Sequence, residues 1–369
     1  MRRSALAVIA IPLVLAACGS SSKTPAASSA TTAAGGTATT AASGGKVGVI
    51  LPDSKSSVRW ETADRKYLSA AFTAAGVQFD IQNAEGDKVK MGTIADQMIT
   101  NGVKVLMIVN LDSPSGAAIE QKAAAAGVKT IDYDRLTLGG GASVYVSFDN
   151  VQVGVLQGTG LVKCLTDKGV ANPRVVELNG SPTDNNATLF KQGYDSVLTA
   201  KYSSGWTKVD DQSVPDWDNQ KGGTIFEQML TKAGGKIDGV LAANDGLGNA
   251  AIAVLKKNNV QIPVTGQDAT VQGLQNILNG DQCMTVYKAV KKEADAASAA
   301  AIALLKGQQP ATTGTVKDTQ TNKDVPSVLA TPVAIYKANV KDVVADGYVT
   351  TADLCTGAYA AECTAAGIS

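Results

Sequence analysis

Arg59-Trp60, Asp134-Arg135, Asp184-Asn185-Asn186, Asp216-Trp217, Asn244-Asp245, Gln267-Asp268 and Lys288 form a series of short polar and aromatic groups spread along the chain. Carboxylates and amide oxygens accept hydrogen bonds, while Arg, Lys and Asn nitrogens donate them. Such a set suits a ligand whose ring of hydroxyls does both. Two of the three tryptophans add flat apolar faces for the C–H side of that ring. A buried partner left unpaired costs roughly 1–3 kcal/mol, and that cost supplies selectivity.

Other chemistries are weakened by what the chain lacks or balances. It contains no histidine, which removes the commonest general base, the Ser-His-Asp and Cys-His arrangements and every His-dependent metal site. Asp134 with Asp268 is conceivable as a glycosidase-like carboxylate pair. Arg135 and Lys288 beside them would keep both ionised and leave no proton donor. Lys+Arg and Asp+Glu both number 33, so no nucleic-acid partner is expected. No CxxC occurs, and neither metal nor cofactor is expected. Plainer roles compete for each group: Asn244-Asp245, Asp184 and Asn185 are also N-cap types, Asp134-Arg135 fits a surface ion pair, Trp60 and Trp217 fit a core, and Lys288 fits a solvated strand end.

The groups stand where strands should end. Short β-branched runs at 47–51, 77–82, 105–109, 129–133, 144–148, 174–178, 239–242 and 284–287 alternate with Ala-rich stretches of helical length at 61–75, 89–101, 114–126, 151–165, 189–200, 248–258 and 289–306. Gly76, Gly102 and Gly127 each follow a helix and precede a strand. Repeated β-α-β predicts parallel sheets covered on both faces. The units fall into two sets, to about residue 150 and from there to about 285, with a remainder of about eighty residues that predicts a chain crossing back. Ligands of open α/β sheets sit beyond the carboxyl ends of strands, so two such domains make a cleft lined from both sides, and hinged closure over it is the expected motion.

Taken in order, the runs YDR at 133–135, SFDN at 147–150, GSPTDNNA at 180–187, GQDA at 266–269 and MTVYK at 284–288 resemble the pentose/hexose-binding proteins of ABC importers, and specifically their xylose-binding branch. The similarity spans about residues 46–346. It implies the type I periplasmic-binding-protein fold, two doubly wound parallel-sheet domains joined by a three-crossing hinge near 150–151, 286–288 and 327–331. The domains would be 46–150 plus 288–328 and 151–287 plus 329–369. Carried over residue by residue, the sugar contacts are Arg59, Trp60, Asp134, Arg135, Asn186, Trp217, Asn244, Asp268 and Lys288, with Asp245 and Gln267 behind them. The implied function is non-enzymatic: capture of a monosaccharide, D-xylose first, and delivery to an ABC permease. Glucose, arabinose or ribose, or a sensor role for a membrane kinase or chemoreceptor, stay open as alternatives. The 213–217 loop keeps one aromatic where the branch carries two, and Gly139-Gly140-Gly141 and the Cys-containing tail also depart from its pattern.

The amino-terminal end predicts export. Arg2 and Arg3 precede an apolar run that is too short to span a bilayer and ends Leu15-Ala16-Ala17-Cys18-Gly19. That layout resembles a bacterial lipobox, so residues 1–17 read as a lipoprotein signal peptide and Cys18 as the lipidated first residue. Residues 18–45, nearly all Ser, Thr, Ala and Gly, read as a disordered tether. The expected location is the outer face of the cytoplasmic membrane, as a lipid-anchored monomer. Cys164, Cys283, Cys355 and Cys363 remain. Their even number in an exported chain reads as disulfides, with Cys355 to Cys363 the easy loop and Cys164 and Cys283 either paired or buried as thiols.

Overall fold

The structure is a computed structural model that describes residues 45–368. The signal run, Cys18 and the tether as far as residue 44 lie outside the described residues.

Strands β1 (Lys46–Leu51), β2 (Phe79–Asn83), β3 (Val103–Ile108), β4 (Lys129–Tyr133) and β5 (Val144–Phe148) alternate with helices α1 (Arg65–Ala74), α2 (Lys88–Thr100) and α3 (Ser113–Ala125). Nearly every residue of β1, β3 and β5 is buried, as strands covered on both faces require. Helix starts are set locally: the Asp87 carboxylate accepts from the N–H groups of Val89 and Lys90, and Asp112 caps α3 with Pro114 in its first turn.

After Phe148 the chain leaves this sheet. Next come α4 (Asn150–Asp167), β6 (Arg174–Asn179), α5 (Asn185–Tyr202), β7 (Thr207–Ser213), α6 (Asn219–Lys232), β8 (Gly239–Ala242) and α7 (Asp245–Lys257). They form a second parallel sheet of order β7-β6-β8. α4 and α5 meet backbone to backbone, since a Cβ on Gly154 would strike the Phe190 carbonyl and one on Gly193 the Val151 carbonyl. α8 (Val271–Asn279) and β9 (Thr285–Tyr287) follow, and α9 (Val290–Leu305) returns to the first sheet, packing Ala294, Ala297 and Ala301 among Val47, Val105 and Val146. There β10 (Gly314–Asp318) and β11 (Lys323–Ala330) add an edge, giving the order β10-β11-β5-β4-β3-β1-β2. Finally β12 (Val333–Ile335) pairs antiparallel with β9.

Several features differ from the periodic reading, which placed no strand at β7, β10, β11 or β12. The run at 284–287 does not extend the second sheet, because Val264 takes the place beside Val240 of β8. Strand β7, TKVDDQS, escaped notice because it is half-exposed and charged, its Asp211 facing Lys191 and Lys208.

The tail adds α10 (Val340–Ala345), α11 (Thr351–Leu354) and α12 (Ala360–Ala365), which bury Val340, Leu354, Cys363 and Ile368 against Leu274, Ile277 and Leu278 of α8. Disulfides join Cys355 to Cys363 and Cys164 of α4 to Cys283, with Cα separations of 5.8 and 6.4 Å. Among the described residues no helix is long and apolar enough to cross a membrane.

Candidate functional site

Strand ends of both sheets converge on a narrow cavity of about 30 Å³ lined by Ser56, Ser57, Trp60, Asp134, Arg135, Asp184, Asn186, Phe190, Trp217, Asn244, Gln267, Asp268 and Lys288. Beyond β1, Asp53 folds the loop by accepting from the N–H groups of Lys55 and Ser56 at 2.7 and 2.6 Å and from Ser56 Oγ at 2.8 Å. Ser56 Oγ in turn accepts from Trp60 Nε1 at 3.2 Å. Beyond β4, Asp134 takes a left-handed backbone, φ 63°, a conformation that costs a non-glycine residue about 1–3 kcal/mol unless its surroundings hold it. Three donors do so on its carbonyl: Ser147 Oγ at 2.6 Å, Asn186 Nδ2 at 2.9 Å and Tyr145 Oη at 3.2 Å.

The second sheet contributes from the opposite side. Asp184 caps α5 through Oδ1, to the N–H of Asn186 at 2.9 Å, while Oδ2 accepts from Trp217 Nε1 at 2.9 Å and pairs with Arg135 Nε at 3.0 Å. The Trp217 indole lies on Gly180, where any Cβ would collide with the ring. Asn244 caps α7 through Oδ1 at the N–H of Leu247, 2.8 Å, and its Nδ2 donates to the Ser56 carbonyl at 3.2 Å. Lys288 Nζ stands 3.2 Å from Asp268 and 3.8 Å from Asp134.

Behind the wall lies a dense charge cluster. Arg59 is held at Asp64 by two bonds of 2.9 and 2.8 Å, at Asp134 at 3.0 Å and at Glu293 at 2.6 Å, and Tyr133 donates to Asp64 at 2.6 Å. Burial works to raise the Asp134 carboxyl, but Lys288, Arg59 and Arg135 outweigh it and hold the group below the usual carboxylate range. Glu293 goes the other way: burial pushes it well above its ordinary value, Arg59 opposes, and Asp134 and Asp64 add to the rise.

The structure thus brings Trp60, Asp134, Arg135, Asn186, Trp217, Asn244, Gln267, Asp268 and Lys288 to one cavity. Arg59 is corrected: all its nitrogens turn to the carboxylates behind Trp60, with its guanidinium carbon 4.5 Å from the centre of that ring, so it props the wall without lining it. Gln267, expected behind the contacts, lines the cavity, and Asp245 does not. Trp60 and Trp217 are 3% and 5% exposed and belong to the apolar clusters of the first and second sheets as well as to the cavity. Sequence reasoning missed Ser56, Ser57 and Phe190 as cavity residues, and read Asp184 as a helix cap alone. Phe190 carried a signal, being four residues after Asn186 on one helix face. The serines sit in an irregular loop that no periodicity marks.

Comparison with known proteins gives the arrangement its relatives. Residues 47–309 match the family model described as periplasmic binding protein domain. The chain is 34% identical to the D-xylose-binding periplasmic protein of Escherichia coli (strain K12), over 82% of this chain and 90% of that protein. It is also 34% identical to the multiple sugar-binding periplasmic receptor ChvE of Rhizobium radiobacter, over the same shares. Among solved structures, a carbohydrate transporter solute binding protein from Chloroflexus aurantiacus in complex with D-glucose superposes with a TM-score of 0.76 at 32% identity, covering 83% of this chain and 97% of that one.

Proposed function

The chain belongs to the periplasmic sugar-binding proteins of ABC transport, and from that premise we propose that it captures D-xylose between its two sheets and hands it to a permease. One observation carries this reading: donors and acceptors from the strand ends of both sheets surround one cavity walled by two tryptophans. The free space within it, about 30 Å³, is far below the range of about 300–1,000 Å³ for small-molecule sites, so a sugar ring enters only as the two walls part. Asp134, Asp184 and Asp268 accept from hydroxyls; Arg135, Lys288 and Asn244 donate to them. Each sheet holds only part of this set, so the sugar is fully paired only when the cleft is shut, and ligand shifts the population toward that form.

D-Glucose is the second reading, supported by the glucose complex of the Chloroflexus aurantiacus relative and by the multiple sugar-binding relatives. We further propose that Cys18 carries the lipid that keeps the protein at the outer face of the membrane. A thermal-shift screen against a dozen monosaccharides tests the central claim, because a ligand at a hundred times its Kd adds about 2.7 kcal/mol of stability. D-Xylose should give the largest shift, with D-glucose next. No shift with any monosaccharide would sink the reading.

A further inference from the structure

Asp245 stands off the cavity wall, yet two neighbours leave their side chains out for it: a Cβ on Gly266 or Gly273 would run into its carboxylate. The group is fully buried. Its Oδ1 accepts from Gln282 Nε2 and Thr285 Oγ1, both at 2.8 Å, and its Oδ2 from the N–H and Oγ1 of Thr270 at 2.8 and 3.1 Å. The Asp245 N–H donates to the Gln267 carbonyl at 3.0 Å. One carboxylate therefore ties the first turn of α7, the 266–270 loop and the approach to β9 together. Gln267 and Asp268, which line the cavity, lie between the two anchored ends of that loop. Gln282, Thr285 and Thr270 are uncharged, and the charged group facing Asp245 is Asp268, itself 3.2 Å from Lys288.

Four donated bonds fit a carboxylate; the O–H of a carboxylic acid there can be accepted only by the Thr285 or Thr270 hydroxyl, which already accept from the N–H groups of Ala269 and Gly273. Proton uptake therefore reverses one threonine bond and turns that hydroxyl's own hydrogen away from Asp245. We propose that Asp245 is a positioning residue for the ligand, and that the 266–270 loop holds Gln267 and Asp268 to the cavity only while the Asp245 carboxylate is ionised. For its binding readout this rests on the sugar-binding reading above. Burial, opposed by the bonds from Gln282, Thr285 and Thr270, pushes this carboxyl up to about 7, which puts the change within ordinary working conditions. Affinity should fall as pH drops through neutrality. Stability runs the opposite way: the folded value exceeds the unfolded one of about 4, so the contribution is present on the acid side and is lost as pH rises through about 7. A residue with only a structural role would not separate the two trends.

The test measures D-xylose affinity by calorimetry from pH 5.5 to 8.5. In parallel, hydrogen exchange of the 266–270 amides in ligand-free protein is followed over the same range, corrected for intrinsic rates. Wild type should weaken about tenfold between pH 8 and 6, the worth of one hydrogen bond, with faster loop exchange at the acid end. Asp245→Asn, which carries a donor and no charge, should show weak binding, fast exchange and no pH inflection. Thr285→Val, lacking one donor to the ionised form, should move the midpoint to higher pH. Loop exchange and affinity that stay level with pH in wild type, or an unaltered slope in Asp245→Asn, would overturn the proposal. An inflecting loop without D-xylose binding would instead discard the sugar reading and leave the brace standing.

Discussion

Replacing Arg59 by Met keeps an unbranched apolar stem and removes the guanidinium and its charge from a place that is 1% exposed. Its three carboxylate partners lose support unequally. Asp134 keeps Lys288 at 3.8 Å and Asn186 Nδ2 at 3.1 Å, and Asp64 keeps the Tyr133 hydroxyl at 2.6 Å. Glu293 loses the partner of Oε2, and its Oε1 has none. Breaking a buried ion pair from one side costs about 3–5 kcal/mol, a large part of the about 5–15 kcal/mol that stabilises an ordinary domain. Urea denaturation at pH 7.5 should therefore show a loss of that size. The loss should shrink toward pH 5. Arg59 opposes the rise that burial imposes on Glu293, so without it the folded variant holds that proton more tightly than the unfolded chain does and gains stability as pH falls. A loss below about 1 kcal/mol, or one that stays constant from pH 7.5 to 5, would refute the account of Arg59 as the neutralising centre of the cluster.

Trp60→Ala and Trp217→Ala should each cost about 3–5 kcal/mol in urea denaturation and weaken calorimetric D-xylose binding at least about tenfold, since both rings serve core and cavity; unchanged affinity in both would remove them from the site. Non-reducing peptide mapping should recover Cys164 with Cys283 and Cys355 with Cys363, and Cys355→Ser with Cys363→Ser should lower stability by about 2.5 kcal/mol for so short a loop. Cys18→Ser should abolish incorporation of labelled fatty acid, and continued labelling would end the lipobox reading. Small-angle scattering should show a smaller radius of gyration with D-xylose than without; identical profiles at saturation would dismiss hinge closure.

The first five strands, the Gly-punctuated helices between them and most of the cavity residues were legible, because parallel β-α-β units bury long apolar runs and put their polar residues at strand ends. Legibility failed where burial pattern and role part company. β7 is an exposed edge whose charges are satisfied by neighbouring lysines, so it lacks apolar alternation. Arg59 looked like a ligand contact beside Trp60, but its surroundings are set by Glu293, more than two hundred positions later. Local sequence carries no trace of that partner. Asn244 and Asp184 were readable as caps, but the second bond each makes with its other polar atom, to the Ser56 carbonyl and to Trp217 Nε1, was not, because those partners lie on other segments of the chain.

The glycine seam between α4 and α5 has a practical corollary. With no layer of side chains between the helices, neither can slide or roll without driving a Cα into the other's carbonyls, so the pair must travel as one piece. Asn150 and Asn186, joined at 3.1 Å across their first turns, are then a fixed fiducial on that piece. A fluorophore on the solvent side of this pair, matched with one on α2, would read cleft state as a distance free of internal slack. The same seam restricts what can be changed in making such a sensor: at 154 and 193 any residue other than glycine prises the helices apart and carries Asn186 away from Asp134.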